Sequence, residues 1–435
     1  MQTYQVGQVE CDITPPVGVT LAGYAGRTEP SEGVYLPLTA TVTVIDDGQT
    51  PVVLIAAEFI SFCDLSPALR GRINELTGIN GANVLMSASH THTGPATGDF
   101  YDILDTPADW PYLNGVVEKF AQCAKQAYDS RQPMVLRYGV GRSDLAMQRR
   151  KPDPDNPPRV FRSMLPNPGG PVDHDVPVLA AYTPGGELKH VLVSYACHPT
   201  SRGGLLIGGD YVGFALEYIR QQRPGIPVGF LQGCGGDQKV RPVDRNAPSF
   251  GGREIDQTRD AGYELGKVVI DLLDRDELQT IDGPIAVSQT MMQLTAEPPN
   301  EQAVSDNLTS DNPWCCMWAK RMRAFLDGSE PIDRTAPFEV QTIRFGDALA
   351  ICPMPGEMSV EYSLRLKRDL GEQFKHVLPL GYANGMVGYV SSKRQFPEYG
   401  YEVWDSNMFW FRTGRWEEDT EGRIVATVCD GLARK

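Results

Sequence analysis

Seven apolar runs of strand length recur along the chain: "PVVLIAAEFI" (51–60), "NVLMSAS" (83–89), "VPVLAAY" (176–182), "HVLVSYAC" (190–197), "PVGFLQGC" (227–234), "ALAICPM" (348–354) and "HVLPLGY" (376–382). They are close to continuously hydrophobic. A strand that buries one face alternates apolar and polar residues, so continuous runs require cover on both faces. Segments 113–131, 213–222 and 258–275 instead space their apolar residues near 3.6, as amphipathic helices do. Strands alternating with helices predict an α/β fold. No repeat, low-complexity tract or clean linker divides the 435 residues. The expectation is a single large domain, residues 1–435, of mixed β-sheets covered by helices. Long irregular loops at 143–175, 240–257 and 296–314 decorate it, and loops of that length are usually functional. They are expected to shape the pocket.

Composition removes several partners. A formal net charge of −15 excludes nucleic acid, whose phosphates need a basic surface, and disfavours docking on anionic lipid. No apolar stretch reaches eighteen residues, so membrane insertion is not expected. The start "MQTYQVGQVECDITPP" lacks the basic head and apolar run of a signal peptide. Nine cysteines, with no C-x-x-C pair and only Cys315-Cys316 adjacent, fit free thiols in a reducing compartment. The expectation is a cytoplasmic protein acting on a small-molecule substrate, with homo-oligomerisation left open.

The chemistry gathers where apolar runs stop. In "SASHTHTGP", His90 and His92 are two apart and face one side of extended chain just beyond a strand. They are either hydrogen-bonded loop residues or half of a metal site, at the place where open α/β sheets hold ligands. His198 in "ACHPTS" also follows directly on a strand. Glu357 in "PMPGEMSV" follows a strand and a Pro-Gly turn and opens an amphipathic segment. It serves either a ligand or the helix dipole. Cys234 in "GCGGD" fits a buried small hydrophobe better than a nucleophile. His174, His190 and His376 are assigned structural places, with His174 near enough in sequence to a long loop to border a cleft.

Taken in order, "DITPPVGVTLAGY", "SASHTHTGP", "ACHPTS" with "GDYVGFA", "FLQGCGGD", "PGEMSV" and "GYVSSKRQFPEYGYE" resemble the neutral/alkaline (non-lysosomal) ceramidase family over residues 6 to 402. The resemblance implies one zinc ion per chain, held by His90, His198, Glu357 and Tyr389. It also implies that His92 assists proton transfer, that Tyr401 stabilises an oxyanion, and that Asp237 is a kept active-site residue. Two imidazoles and a carboxylate are a catalytic-type set with a position left for water. Zinc brings such a water's pKa to about 7.

The pattern breaks in one place. The family's serine, two residues after the aspartate of its G-D motif, is replaced by Lys239 in "GGDQKV". The chain length also leaves no room for the family's C-terminal β-sandwich domain. Lys239, Arg241, Arg149 and Arg150 would set positive charge near the metal, with the arginines binding substrate and Lys239 serving as acid or base. Together with polar, proline-rich loops, this points to a zinc hydrolase of an amide or ester in a small polar or anionic molecule. The alternatives are a metal-dependent lyase or isomerase on a sugar acid-like substrate with Lys239 as base, a true ceramidase, and a binding protein without catalysis.

Overall fold

The computed structural model describes residues 2–98 and 107–433. Two mixed sheets form its interior. The larger has nine strands. Eight of them are β1 (Tyr4–Asp12), β2 (Thr39–Asp46), β3 (Val52–Ala57), β4 (Val84–Ala88), β5 (Gln132–Arg142), β6 (Asp175–Tyr182), β7 (Leu188–Tyr195) and β8 (Val228–Gln232). They run in the order β8-β7-β6-β5-β1-β2-β3-β4, and the two-residue strand Gln279–Thr280 pairs with β5. Within it β3–β4 and β7–β8 are parallel. The smaller sheet orders β9 (Ile285–Thr295), β10 (Thr335–Phe345), β11 (Leu349–Pro353) and β12 (His376–Leu380), with only the last pair parallel.

Side-chain alternation assigns each strand residue to a layer. Leu54, Leu136, Leu192 and Leu231 on one face of the large sheet meet Ile343, Leu349 and Leu378 of the small one. On the opposite face, Ile55 and Val42 pack under α1 (Leu65–Thr77) and α2 (Trp110–Asp129). Val178 and Val191 pack under α3 (Asp210–Gln222) and α4 (Ile255–Asp274). The far face of the small sheet lies under α7 (Val360–Leu370) and α8 (Thr420–Ala433). Between these come α5 (Glu301–Asn307) and α6 (Pro313–Leu326). The layers run helix, sheet, sheet, helix. The continuous apolar runs are thus covered twice, as expected, but one cover is a second sheet. Each aliphatic side chain so enclosed contributes about 1.5–3 kcal/mol.

The large sheet also curls until its edges meet. The Gln232 amide at the end of β8 donates to Ser87 Oγ in β4 at 3.1 Å. Gly229 of β8 lies against Thr41 and Ala56, where a side chain would not fit. This closure sets the chain leaving β4 beside the chain leaving β7, and those two segments carry His90 and His198.

Two of the long loops are more ordered than their composition predicts. Segment 296–314 contains α5 and the start of α6. Segment 143–175 contributes Ala146–Gln148, paired antiparallel with Gln238–Val240. Among the described residues no helix is long and apolar enough to cross a membrane.

Candidate metal centre

His90 leaves β4 with φ of 68°, a left-handed conformation that costs a non-glycine residue energy and that the surroundings must enforce. They do so through Ser89 N to Ala57 O at 2.9 Å and His90 N to Phe59 O at 2.7 Å. The His90 ring places Nδ1 2.7 Å from Ile60 O, and His198 places its own 2.7 Å from Gly235 O. A carbonyl oxygen only accepts, so each Nδ1 carries the hydrogen and each Nε2 of the neutral ring presents a lone pair. Glu357 and Tyr389 are register partners in the parallel pair Glu357–Met358 and Tyr389–Val390.

Four donor atoms converge. Glu357 Oε2 lies 2.9 Å from His198 Nε2 and 3.4 Å from His90 Nε2. The Tyr389 hydroxyl is 3.4 Å from His198 Nε2. Four ligands about 2.0–2.1 Å from one ion at tetrahedral angles are spaced about 3.3 Å apart. The separations match. Ring nitrogens of His90, His92 and His198 also lie within 4.8 Å of one another, and this buried triad could hold a metal ion.

Burial, followed by the Arg149 charge, pushes the His198 imidazole down to about 4. It is therefore neutral at physiological pH. Burial, with His90 and His198 next, holds His92 well below its ordinary value. Neutral lone pairs and a carboxylate crowd one point, and lone pairs repel each other there unless a cation lies between them.

His92 stands beside it with both ring nitrogens buried and without a hydrogen-bond partner among the described residues. Tyr24 meets the ring edge-on at 4.9 Å. Gly23, at φ 97°, lies so close to the imidazole that a Cβ would collide with it. Tyr401 packs at right angles on Tyr389, centroids 5.4 Å apart. Burial, then Glu357, raises its phenol well above the usual range, so it keeps its proton.

The "GCGGD" segment positions the others. Gly235 orients His198 through its carbonyl, and Gly236 N donates to Met358 O at 2.8 Å, next to Glu357. Asp237 accepts from Gln148 Nε2 at 3.0 Å, Gln395 Nε2 at 2.7 Å and Val360 N at 2.9 Å. It seats the start of α7 and does not line the cavity, contrary to a catalytic place. Cys234 is fully buried in the apolar cluster under α7, and burial pushes its thiol well up.

The three arginines expected to bind substrate are already paired. Arg149 Nε lies 2.8 Å from Glu402 Oε1, and its Nη2 donates to the Tyr389 hydroxyl at 3.0 Å. Arg150 Nη1 is 2.6 Å from Glu402 Oε2 and its Nη2 donates to Tyr399 O at 2.7 Å. Arg241 Nη2 meets Glu264 Oε2 at 2.9 Å. Lys239 lines a smaller neighbouring cavity, not the one holding the histidines. Burial, then Arg149, lowers its ammonium. His174 bonds Ser143 O at 3.0 Å and borders neither cavity. His190 bonds Thr43 and Pro227, and His376 packs on Tyr138.

His90, His92, Glu357 and Tyr389 line a cavity of about 970 Å³. Its wall also includes Trp314, Phe409, Trp410, Phe411 and Trp416, with the exposed Met291. This corrects the expectation of polar walls. Of the three long loops only 296–314 reaches the cavity, through Trp314. The wall comes mainly from "NMFWFRTGRW", an aromatic cluster visible in sequence but without periodicity to place it. Tyr382 was also not anticipated. Its hydroxyl lies 3.4 Å from His198 Nδ1 and its ring 4.4 Å from His90, at the end of β12. The strand-end rule that marks the histidines marks it too.

No protein-family model matches the chain. Among curated proteins, the neutral ceramidase of Mycobacterium tuberculosis is 25% identical, spanning 98% of this chain and 77% of its own length. Neutral ceramidase B of Dictyostelium discoideum is 23% identical, spanning 99% and 73%. Among solved structures, neutral ceramidase from Pseudomonas aeruginosa superposes with a TM-score of 0.77 at 18% identity, covering 99% of this chain and 74% of that one. A ceramidase complexed with C2 gives 0.76 at 18%, covering 99% and 75%. The alignments run through nearly the whole chain and the fold agrees with them: over almost its full length this chain is similar in sequence to neutral ceramidases and shares their fold.

Proposed function

We propose that this protein is a zinc-dependent hydrolase that cleaves the amide bond of an N-acyl, lipid-like substrate with water as the attacking group. The observation that carries the reading is the convergence of His90 Nε2 and His198 Nε2 on Glu357 beside a cavity with aromatic residues in its wall. His90, His198, Glu357 and Tyr389 are the residues that would hold the ion. When bound, zinc supplies Lewis acidity and acidifies a water toward neutral pH.

The remaining steps belong to the chain. The aromatic wall takes the acyl portion and excludes bulk water. Water adds to the amide carbon, and His92, with unpartnered ring nitrogens, receives its proton. Tyr401 keeps its proton and donates to the carbonyl oxygen as negative charge develops there. The proton on His92 passes to the departing nitrogen, the C–N bond breaks, and a carboxylic acid and an amine result, the acid then giving its remaining proton to the amine or to solvent. With Lys239 at the family's serine position, no side-chain alcohol is required in this scheme.

The aromatic wall and the names of the relatives support an acyl amide over the small polar molecule that loop composition predicts. The proton-transfer alternative loses its base, because Lys239 lines the neighbouring cavity. The test is hydrolysis of a ceramide, long- and short-chain N-acyl amines and simple esters by metal-depleted and zinc-restored protein. Zinc-dependent release of fatty acid supports the reading. Turnover unaffected by chelation would sink it.

A further inference from the structure

Across Tyr24 from the metal centre lies a second cavity of about 430 Å³, and Tyr24 and Gly26 border both. Its polar wall includes Arg27, Thr200, Ser201, Arg202 and Lys239. Thr200 is 7% exposed, yet its Oγ1 is buried without a hydrogen-bond partner among the described residues. The same is true of Arg202 Nε. Each such donor is left unmet by the protein, and a ligand that accepts hydrogen bonds would satisfy it.

Among the described residues, Arg202 and Lys239 of this wall rest on aromatic rings without an ion-paired carboxylate, as Arg412 does on Trp416 elsewhere in the protein. Arg202 lies over the Tyr35 ring, 4.8 Å from its centroid, and Lys239 Nζ lies 5.6 Å from that of Phe250. Arg149, Arg150 and Arg241 are instead neutralised by carboxylates. Asp210, the acid next to this wall, is already committed. Its Oδ2 accepts from Ser201 N at 2.9 Å and Arg202 N at 3.2 Å, and its Oδ1 from Tyr211 N at 2.7 Å. Gly251 and Gly252 leave the rim open, with no atom near where a side chain would stand.

We propose that this second cavity binds an oxyanion, a carboxylate or phosphate group, through Lys239 Nζ, the Arg202 guanidinium and Thr200 Oγ1. The anion has two sources: an acidic head on the acyl substrate, which rests on the hydrolase reading, or a free small anion, which does not.

The experiment is calorimetric titration of inorganic phosphate into the protein at constant ionic strength. Saturable one-to-one binding is expected, weakened at least about tenfold in Lys239→Met and in Thr200→Val and kept in Lys239→Arg. His198→Ala separates this site from the metal. Binding that survives His198→Ala and is lost in Lys239→Met supports the proposal. Binding lost in His198→Ala and kept in Lys239→Met and Thr200→Val places phosphate on the metal and overturns it, as does absence of saturable binding. KM for acyl amides with acidic and neutral heads then identifies the source. A rise in Lys239→Met confined to acidic heads assigns the anion to the substrate. An unchanged KM for both, with phosphate binding lost, assigns it to a free anion.

Discussion

The two cavities on either side of Tyr24 are opposite in what they lack. The larger gathers lone pairs and a carboxylate around a point with no positive charge, and backs that point with aromatic rings. The smaller gathers donors and two cations that have settled on aromatic faces in place of acids. On the readings proposed above, one takes a cation and the other an anion. Arg149 lies between them. Its charge acts on both His198 and Lys239, and Glu402 neutralises it from behind. The contrast shows that net charge says little about a site. A chain of net charge −15 still holds a wall whose Arg202 and Lys239 rest on rings, while Arg149, Arg150 and Arg241 are ion-paired.

The contrast breaks most sharply if the metal centre is emptied. His198→Ala is expected to lose stoichiometric zinc, read by elemental analysis, and to lower kcat/KM at least about a thousandfold, roughly 4 kcal/mol of transition-state stabilisation. Full activity in a metal-free variant would reverse the account of the larger cavity. Next is Glu402→Gln, which leaves buried Arg149 without a carboxylate and Arg150 with Glu398 alone. Urea unfolding is expected to show a loss of about 3 kcal/mol, the usual cost of removing one partner of a buried ion pair.

A smaller effect separates chemistry from binding. Tyr401→Phe is expected to lower kcat about a hundredfold with little change in KM, as for removal of one oxyanion donor. Burial raises this phenol, so its proton is held to higher pH than on a free tyrosine. Wild-type activity is therefore not lost to Tyr401 ionisation as pH passes through 10. An alkaline limb near 10 in wild type that vanishes in Tyr401→Phe would contradict this. The mildest test concerns the aromatic wall. Trp314→Ala is expected to raise KM about tenfold for long acyl chains and to leave short ones nearly unchanged, since the loss is one of apolar contact.

Much of this was legible before any coordinates. All seven apolar runs are strands, and the three amphipathic segments are helices α2, α3 and α4, because buried faces leave a period in the sequence. Among the strands not marked in advance, β1, β9 and β10 are only partly buried along much of their length, whereas β2 is buried but interrupts its apolar run with threonines. His90, His198 and Glu357 were visible as polar residues at the ends of apolar runs, and Tyr389 only by resemblance. The structure brings these four together. The basic residues were misread for a definite reason: a sequence lists charges without their partners, and Glu402 stands about 250 positions from Arg149.

By itself, the sequence determined the α/β class, the doubly covered strands and the chemical types available at their ends. Those properties follow from local hydrophobic period and from residue chemistry, which need no knowledge of distant chain. Only the tertiary structure decided that the large sheet closes so that the ends of β4 and β7 meet. It alone joined Glu357 to Tyr389 by strand register, drew an aromatic wall from residues 314 to 416, and left Lys239 on the far side of Tyr24. Each of these is a contact between segments far apart in the chain, set by how layers pack, and no local pattern encodes it.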